Sequence, residues 1–118
     1  MKMKNTNLDL NNPKNWIISK IIVNQCKQNP KFEVIEFMDG KKWTLSDMYS
    51  RASKAAHLIN ALGVKKGEVI LVMIDDPKKF IPLWLGAAFL GIIFVAINTS
   101  LKGDVLSHQI KMSSPKVI

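Results

Sequence analysis

The chain has 118 residues, a hydrophobic content of 47% and a formal net charge of +8. This composition allows one small packed domain, or a part of a larger one, and it argues against a wholly disordered chain. The single cysteine, Cys26, excludes a disulfide framework and a cysteine-rich metal site, and it fits a reducing compartment.

The positive charge is carried by lysines that are scattered along the chain. Arg51 is the one arginine among 17 basic residues. Proteins that bind nucleic acid usually gather their basic residues on one face and favour arginine. We therefore predict no nucleic acid partner, while weak attraction to an anionic membrane or substrate stays open.

Residues 1–12 are rich in asparagine and lysine, and we predict a disordered tail there. They lack the apolar region of a signal peptide, so we expect an intracellular protein. Residues 13–118 are predicted to form the folded part, beginning with a helix from Pro13 to Gln28. Two interpretations of this helix stay open. It either packs on its own domain, which we favour, through Trp16, Ile17, Ile21 and Cys26, or lies on a membrane surface with Lys20 and Lys27 facing the headgroups.

A hairpin and a long helix are predicted next. Residues 32–38 and 41–43 have the pattern of two strands, joined at Asp39-Gly40. The helix runs from Thr44 to Leu62, with Thr44 and Asp47 spaced as in a capping box, and Gly63 ends it. Apolar residues recur at helical spacing and make one face of this helix: Leu45, Met48, Ala52, Ala55, Ile59 and Leu62. Its small residues would let the helix lie close to a sheet: Ala52, Ser53, Ala55 and Ala56.

The stretch from Glu68 to Asn98 is the most apolar part of the chain. It is long enough for a membrane-spanning helix, but residues within it that typically start or end a helix favour a strand, a helix and a second strand in a buried core. Asp75-Asp76 and Pro77 suit a helix start, and Gly91 suits a helix end. We also interpret Pro82 as a sign of a turn within the apolar tract, and we expect Trp84 and Phe89 to be core residues.

A loop at residues 98–102, a helix from Gly103 to about Ser114 and a strand-like run at residues 116–118 complete the chain. A parallel strand needs cover on both faces. We therefore expect a larger protein of which this chain is a truncated part.

Candidate catalytic residues are few. Asp75-Asp76 could form a metal or acid–base pair, but helix capping is the more common role of such carboxylates. His57 and His108 lack a second ligand at a fixed helical spacing. The glycines never cluster into a phosphate-binding loop, and no base lies near the serines of the Thr44 helix in sequence.

The order of short motifs over residues 31–118 resembles the opening part of the adenylate-forming, or AMP-binding, acyl-CoA synthetase superfamily. The segments FIPLWLG and INTSL, the second followed by LSHQI, most resemble the branch of fatty-acid transport proteins and very-long-chain acyl-CoA synthetases. The matching positions are Trp43-Thr44, Leu62-Gly63, Gly67-Glu68-Val69, Trp84-Leu85-Gly86, Gly91, and Asn98 with Leu101.

This resemblance implies an ATP-dependent ligase that adenylates a long- or very-long-chain fatty acid and then transfers the acyl group to coenzyme A. The fold it implies is α/β, a partial N-terminal subdomain with a layered, mostly parallel sheet flanked by helices. The family's phosphate loop, adenine and Mg²⁺ motifs and catalytic lysine have no counterpart here. We therefore assign no catalytic or metal residue, and we expect the 118-residue chain alone to be inactive, with a scaffold role.

The resemblance also bears on ligands and location. In some members of the family a basic residue at the place of Ser100 lies near the phosphates of coenzyme A, and here Lys102 is only a loose substitute for it. ATP, Mg²⁺, coenzyme A and fatty acid are thus expected partners of the full-length protein, which would associate with the endoplasmic reticulum or another lipid-handling membrane. The alternative is a stand-alone module without catalysis that binds a membrane or a protein through residues 80–97.

Overall fold

The structure is a computed structural model that describes residues 8, 9 and 11–118. The chain forms two compact units, of which the first ends at Arg51 and the second begins at Ala52. The first unit contains helix α1 (Ile18–Gln28), strands β1 (Glu33–Glu36) and β2 (Lys42–Thr44), and the start of helix α2 (Leu45–Ala61). The second contains the rest of α2, strand β3 (Val69–Val72), helix α3 (Pro77–Leu90), strand β4 (Ile93–Ala96) and helix α4 (Gly103–Ser113). Most of the predicted tail of residues 1–12 lies outside the described residues.

In the first unit, the predicted helix from Pro13 to Gln28 is wrong in its first turn. Residues Pro13–Asn15 form a short 3₁₀-helix, and α1 begins only at Ile18. Trp16 and Ile17 lie between the two helices and are exposed, so they do not form the packed face that we expected. That face is centred on Ile22 instead, which is buried.

The hairpin of the first unit is confirmed, with shorter strands than predicted. β1 and β2 pair antiparallel, and the amide of Phe37 donates to the carbonyl of Lys41 at 2.8 Å to close the turn. The rings of Phe37 and Trp43 meet edge to face at 4.6 Å. The guanidinium of Arg51 lies 4.5 Å from the centre of the Trp43 ring, a cation–π distance.

The capping box at the start of α2 is confirmed. The backbone amide of Asp47 donates to the Thr44 hydroxyl oxygen at 3.1 Å, and the amide of Thr44 donates to the Asp47 carboxylate at 3.0 Å. These reciprocal bonds lower the pKa of Asp47, the bond from the Thr44 amide contributing most, followed by the Thr44 hydroxyl and the charge of Arg51. Two of the amides that a helix start leaves without partners are thereby satisfied.

The second unit is built on a β3-α3-β4 connection, which confirms the α/β fold class. β3 and β4 pair in parallel, from Val69 opposite Ile93 to Val72 opposite Ala96. Residues 116–118 approach the other edge of β3, where the amide of Leu71 donates to the carbonyl of Val117 at 3.0 Å. Within the described part of the chain, no helix has the length and apolar character needed to cross a membrane.

Both ends of α3 are as the sequence predicts. The Asp76 carboxylate accepts a hydrogen bond from the amide of Lys78, and Pro77 occupies the first turn. Gly91 ends the helix in the left-handed region, with φ of 68°. A side chain at Gly91 would also press on the aliphatic part of Lys66, whose Cγ lies 3.1 Å from the site of a Cβ.

The interior of α3 corrects two expectations. Pro82 lies inside the helix and is buried, so it does not mark a turn. An interior proline costs a helix about 3 kcal/mol, and we attribute its tolerance to the packing of the neighbouring residues Leu85 and Ala87, which are almost fully buried. Trp84 is 42% exposed and is therefore not a core residue.

The small residues of α2 also have a different role from the predicted one. They lie against Gly86 of α3: a Cβ atom on Gly86 would lie 2.7 Å from the amide nitrogen of Ala56 and 2.9 Å from the carbonyl oxygen of Ala52. They therefore permit a close helix–helix contact. Leu62, predicted to be on the apolar face, is exposed and lies just after the end of α2 at Ala61.

The hydrophobic core of the second unit lies where these elements meet. Its buried members come from the end of α2, from β3 and α3, and from the segments joining them: Ile59, Val64, Ile70, Val72, Ala87 and Ile92. Phe80 and Phe94 pack at its margin, with ring centres 5.2 Å apart and the rings nearly perpendicular. Such edge-to-face pairs stabilise the fold by more than the burial of their apolar area alone would.

We expect Gly86→Ala to lower the free energy of unfolding by about 1–3 kcal/mol, because the added methyl group meets backbone atoms that cannot rotate away. Urea denaturation followed by circular dichroism measures this change. Ser107→Ala, on the exposed surface of α4, is the control and should change stability by less than about 0.5 kcal/mol. Stabilisation by Gly86→Ala, the usual result at an exposed helical glycine, would contradict the close contact.

The capping box predicts a pH dependence of stability. Since the pKa of Asp47 is lower in the folded chain, its ionised form stabilises the fold above the unfolded pKa of about 4, and this contribution is lost as pH falls through the folded pKa. Asp47→Asn should therefore cost about 0.5–1 kcal/mol at neutral pH and much less in acid. Asp104→Asn is the control, since α4 has no side-chain cap. A cost for Asp47→Asn that is the same at both pH values would refute this assignment.

Candidate functional site

The carboxyl ends of β3 and β4 form the candidate functional site. Ligands of open α/β sheets usually bind beyond the carboxyl ends of parallel strands, where the loops leave the sheet. Here the two loops are residues 73–76, which lead into α3, and residues 97–102, which lead into α4. They hold the candidates Asp75, Asp76 and Lys102 of the sequence analysis.

A side-chain hydrogen bond joins the two loops. The Thr99 hydroxyl donates to the Asp75 carboxylate at 2.6 Å, across 24 residues of sequence. A hydrogen bond to an ionised acceptor is stronger than one between neutral groups. The sequence analysis did not identify Thr99, and only the parallel pairing of β3 with β4 could have indicated that it meets Asp75.

The second loop is also folded on itself. The amide of Ser100 donates to the Asn98 side-chain oxygen at 2.9 Å, and the amide of Leu101 donates to the Asn98 carbonyl at 3.1 Å. Asparagine commonly forms a turn of this type. The turn leads to Lys102, which lies immediately before α4 and is exposed, so its ammonium group can meet an anion from solvent.

Asp75 and Asp76 therefore have separate structural partners. Asp76 caps α3, as predicted, whereas Asp75 accepts the bond from Thr99. Among residues 8, 9 and 11–118, no group of three or more histidine, cysteine, aspartate or glutamate side chains could hold a metal ion. His57 and His108 are both exposed, on different helices.

Cys26 is the remaining residue with nucleophilic chemistry. It lies in α1 and is partly buried, and this burial raises the pKa of its thiol. A thiol with a raised pKa is mostly protonated at neutral pH, and the thiolate is the reactive form. This environment is typical of a structural cysteine.

An apolar groove of about 370 Å³ lies along the edge of β3 in the second unit. Leu58 and Leu62, on its rim, are each more than half exposed. The groove can bury apolar groups, but it offers no side chain for acid–base chemistry. Its lining consists of Leu58, Ile59, Leu62, Ile70, Leu71, Val72, Met73, Ile74, Leu83, Val117 and Ile118.

Because the Asp75–Thr99 bond holds the two loops together, we expect Thr99→Val to speed hydrogen exchange at the amides of Ser100 and Leu101 by about 2- to 10-fold, as for the loss of about 0.5–1.5 kcal/mol. Mass spectrometry or NMR can follow this exchange. Thr99→Ser keeps the hydroxyl and is the matched control. Equal protection in the valine and serine variants would show that the bond does not order the loop.

Residues 22–118 match the family model described as AMP-binding enzyme. Long-chain fatty acid transport protein 6 of Mus musculus is 28% identical over 103 residues, which are 86% of this chain and 16% of that protein. The long-chain-fatty-acid–CoA ligase FadD13 of Mycobacterium tuberculosis is 32% identical over 77 residues, which are 65% of this chain and 15% of that protein. The chain thus spans about one sixth of the length of these curated relatives.

A solved structure shares the fold. The inhibitor-bound N-terminal domain of FACL13 from Mycobacterium tuberculosis superposes with a TM-score of 0.78 and 28% identity. The match covers 85% of this chain and 25% of that domain. The resemblance over residues 31–118 and the expected α/β subdomain are both confirmed. This chain belongs to the AMP-binding enzyme family.

Proposed function

We propose that this chain is part of the N-terminal region of an ATP-dependent long- or very-long-chain fatty acid–CoA ligase. The observation that carries the proposal is the match of residues 22–118 to the AMP-binding enzyme family, with relatives named as fatty acid ligases and fatty acid transport proteins. In the proposed reaction the fatty acid carboxylate attacks ATP to give acyl-adenylate and pyrophosphate. The thiol of coenzyme A then displaces AMP to give the thioester.

The role that we propose for this segment is a scaffold. Its best-placed carboxylates are engaged within the fold, Asp76 with the start of α3 and Asp75 with Thr99. Both arrangements fix the paths of loops at the carboxyl ends of β3 and β4, where the ligands of such sheets bind. We assign the chemistry, and the binding of ATP, Mg²⁺ and fatty acid, to further parts of the full-length enzyme.

Lys102 is the residue of this segment that we would place nearest to a ligand. It is exposed at the end of the ordered loop, and an ammonium group attracts phosphate. We propose that it lies at the rim of the site for coenzyme A, where it would contribute to affinity without taking part in the chemical steps. For the whole protein we propose an intracellular location on the surface of a lipid-handling membrane.

A second candidate function is a stand-alone module that binds a protein or a membrane and has no catalytic role. The apolar groove beside β3 favours it, since exposed apolar surfaces of this kind often mark interaction sites. In this alternative the chain does not need to be part of a larger enzyme. The two functions therefore differ in whether the segment can support acyl-CoA formation.

A chimaera distinguishes the two functions. The matching segment of the mycobacterial ligase would be replaced by residues 22–118, and formation of acyl-CoA from a long-chain fatty acid, ATP and coenzyme A would be measured. We expect thioester formation by the chimaera, because the segment supplies the same scaffold. The ligase without its segment and the 118-residue chain alone are the controls, and we expect both to be inactive.

The stability of the chimaera must be measured alongside its activity. A chimaera that melts cooperatively but forms neither acyl-adenylate nor thioester would contradict the proposed scaffold role. Acyl-adenylate formation by the 118-residue chain alone would contradict the assignment of the chemistry to other parts of the enzyme.

A further inference from the structure

Three large apolar residues in succession are exposed before and at the start of α1. The exposed fractions are 67% for Trp16, 46% for Ile17 and 36% for Ile18. We call these three residues the Trp16 tip. The tip follows the 3₁₀-helix Pro13–Asn15, whose Asn12 cap and Pro13 set the chain direction into it. Exposed apolar side chains occur singly on most soluble proteins, but a continuous group of them marks a binding surface.

The sequence around the Trp16 tip is basic. Between Asn11 and Phe32 the chain carries Lys14, Lys20, Lys27 and Lys31, and it has no acidic residue. The ammonium group of Lys20 lies 3.3 Å from the carbonyl oxygen of Lys14, so this contact holds a positive charge beside the tip. The acidic residues of β1, Glu33 and Glu36, are engaged by Lys42 at 2.9 and 3.7 Å.

The exposed face of α1 continues this basic surface. Lys20 and Lys27 project from the side of the helix opposite Ile22, the buried residue of α1. They line a shallow, open groove of about 360 Å³ together with Leu8, Ser19, Val23 and Asn24. The surface therefore combines an apolar end with a positively charged side, which is the composition of helices that lie in the interface of a membrane.

We propose that the Trp16 tip and the lysines of α1 form a peripheral docking site for membranes that contain anionic phospholipids. Tryptophan is favoured at the headgroup level, where its ring is partly apolar and its N–H can hydrogen-bond. Ile17 and Ile18 would enter the acyl region, and the lysines would meet the lipid phosphates. The positive charge of the lysines favours an anionic partner. The three exposed apolar side chains favour a lipid membrane over an acidic partner that has no apolar region.

The proposal goes beyond the fatty acid ligase activity and does not depend on it. It assigns membrane contact to α1 of the first unit rather than to the apolar tract at residues 80–97, which forms most of α3 and all of β4 in the second unit. It draws on both interpretations of residues 13–28 that the sequence left open. α1 packs through Ile22, which is buried, while Trp16 and Ile17 are exposed and can meet a membrane.

Vesicle flotation of the 118-residue chain tests the proposal. We expect the chain to float with phosphatidylcholine vesicles that contain about 30% phosphatidylserine, and to float less as salt rises from about 0.1 to about 0.5 M. Pure phosphatidylcholine vesicles should bind much less. Each lysine near an anionic surface contributes about fivefold, so Lys20→Glu with Lys27→Glu should weaken binding at least about 25-fold. Trp16→Ala should weaken it severalfold.

Two control variants separate this surface from the rest of the chain. Lys54→Glu changes an exposed lysine in α2, and Trp84→Phe changes the other exposed tryptophan. Trp84→Phe should leave binding unchanged, and Lys54→Glu should alter it by no more than the general effect of lowering the net charge by two. Equal binding to neutral and anionic vesicles would overturn the proposal, as would unchanged binding of the Trp16→Ala variant.

If the Trp16→Ala variant does not fold, a fluorescence measurement on a chain that retains Trp16 still tests the proposal. In the Trp84→Phe chain, Trp16 is the exposed tryptophan and Trp43 is 5% exposed. Brominated phospholipids in anionic vesicles should therefore quench the fluorescence of Trp16. Binding without quenching would show that another surface makes the contact, and would also overturn the proposal.

Discussion

The close approach of α2 and α3 at Gly86 is the contact on which the second unit depends most. Gly86 faces backbone atoms of Ala52 and Ala56, so this position has no room for a side chain. Its neighbours Leu85 and Ala87 are almost fully buried, and α3 joins the two parallel strands. A shift of α3 would therefore uncover the core and displace both loops at the carboxyl ends of the strands. Through this contact, α3 holds the loops of the candidate site in place.

Local signals in the sequence were enough to predict most helix ends. Thr44 and Asp47 have the spacing of a capping box, and Asp76 and Gly91 have the side chain or the conformational freedom that a helix end requires. These interactions involve residues within a few positions of one another, so the sequence contains the information directly. The change from helix formers to β-branched residues at Gly91 likewise indicated the β3-α3-β4 connection.

Features that depend on distant parts of the chain could not be predicted. From Phe80 onward α3 has only apolar residues, so no periodicity showed that Trp84 is exposed or that Pro82 lies within the helix. The bond between Thr99 and Asp75 required the register of β3 and β4. The exposure of Trp16 depends on where α1 begins, and Pro13 suggested an earlier start. Lys102 as a coenzyme A contact stays a prediction, since it rests on the family resemblance alone.

The central claim is that this segment serves within a larger fatty acid–CoA ligase. Sequencing the mature transcript beyond the codon for Ile118 tests it most directly. The claim predicts that the reading frame continues into a loop rich in serine, threonine and glycine that ends in lysine, the phosphate loop that the family resemblance implies. A stop codon immediately after Ile118 in every mature transcript would contradict the claim and would favour a stand-alone module.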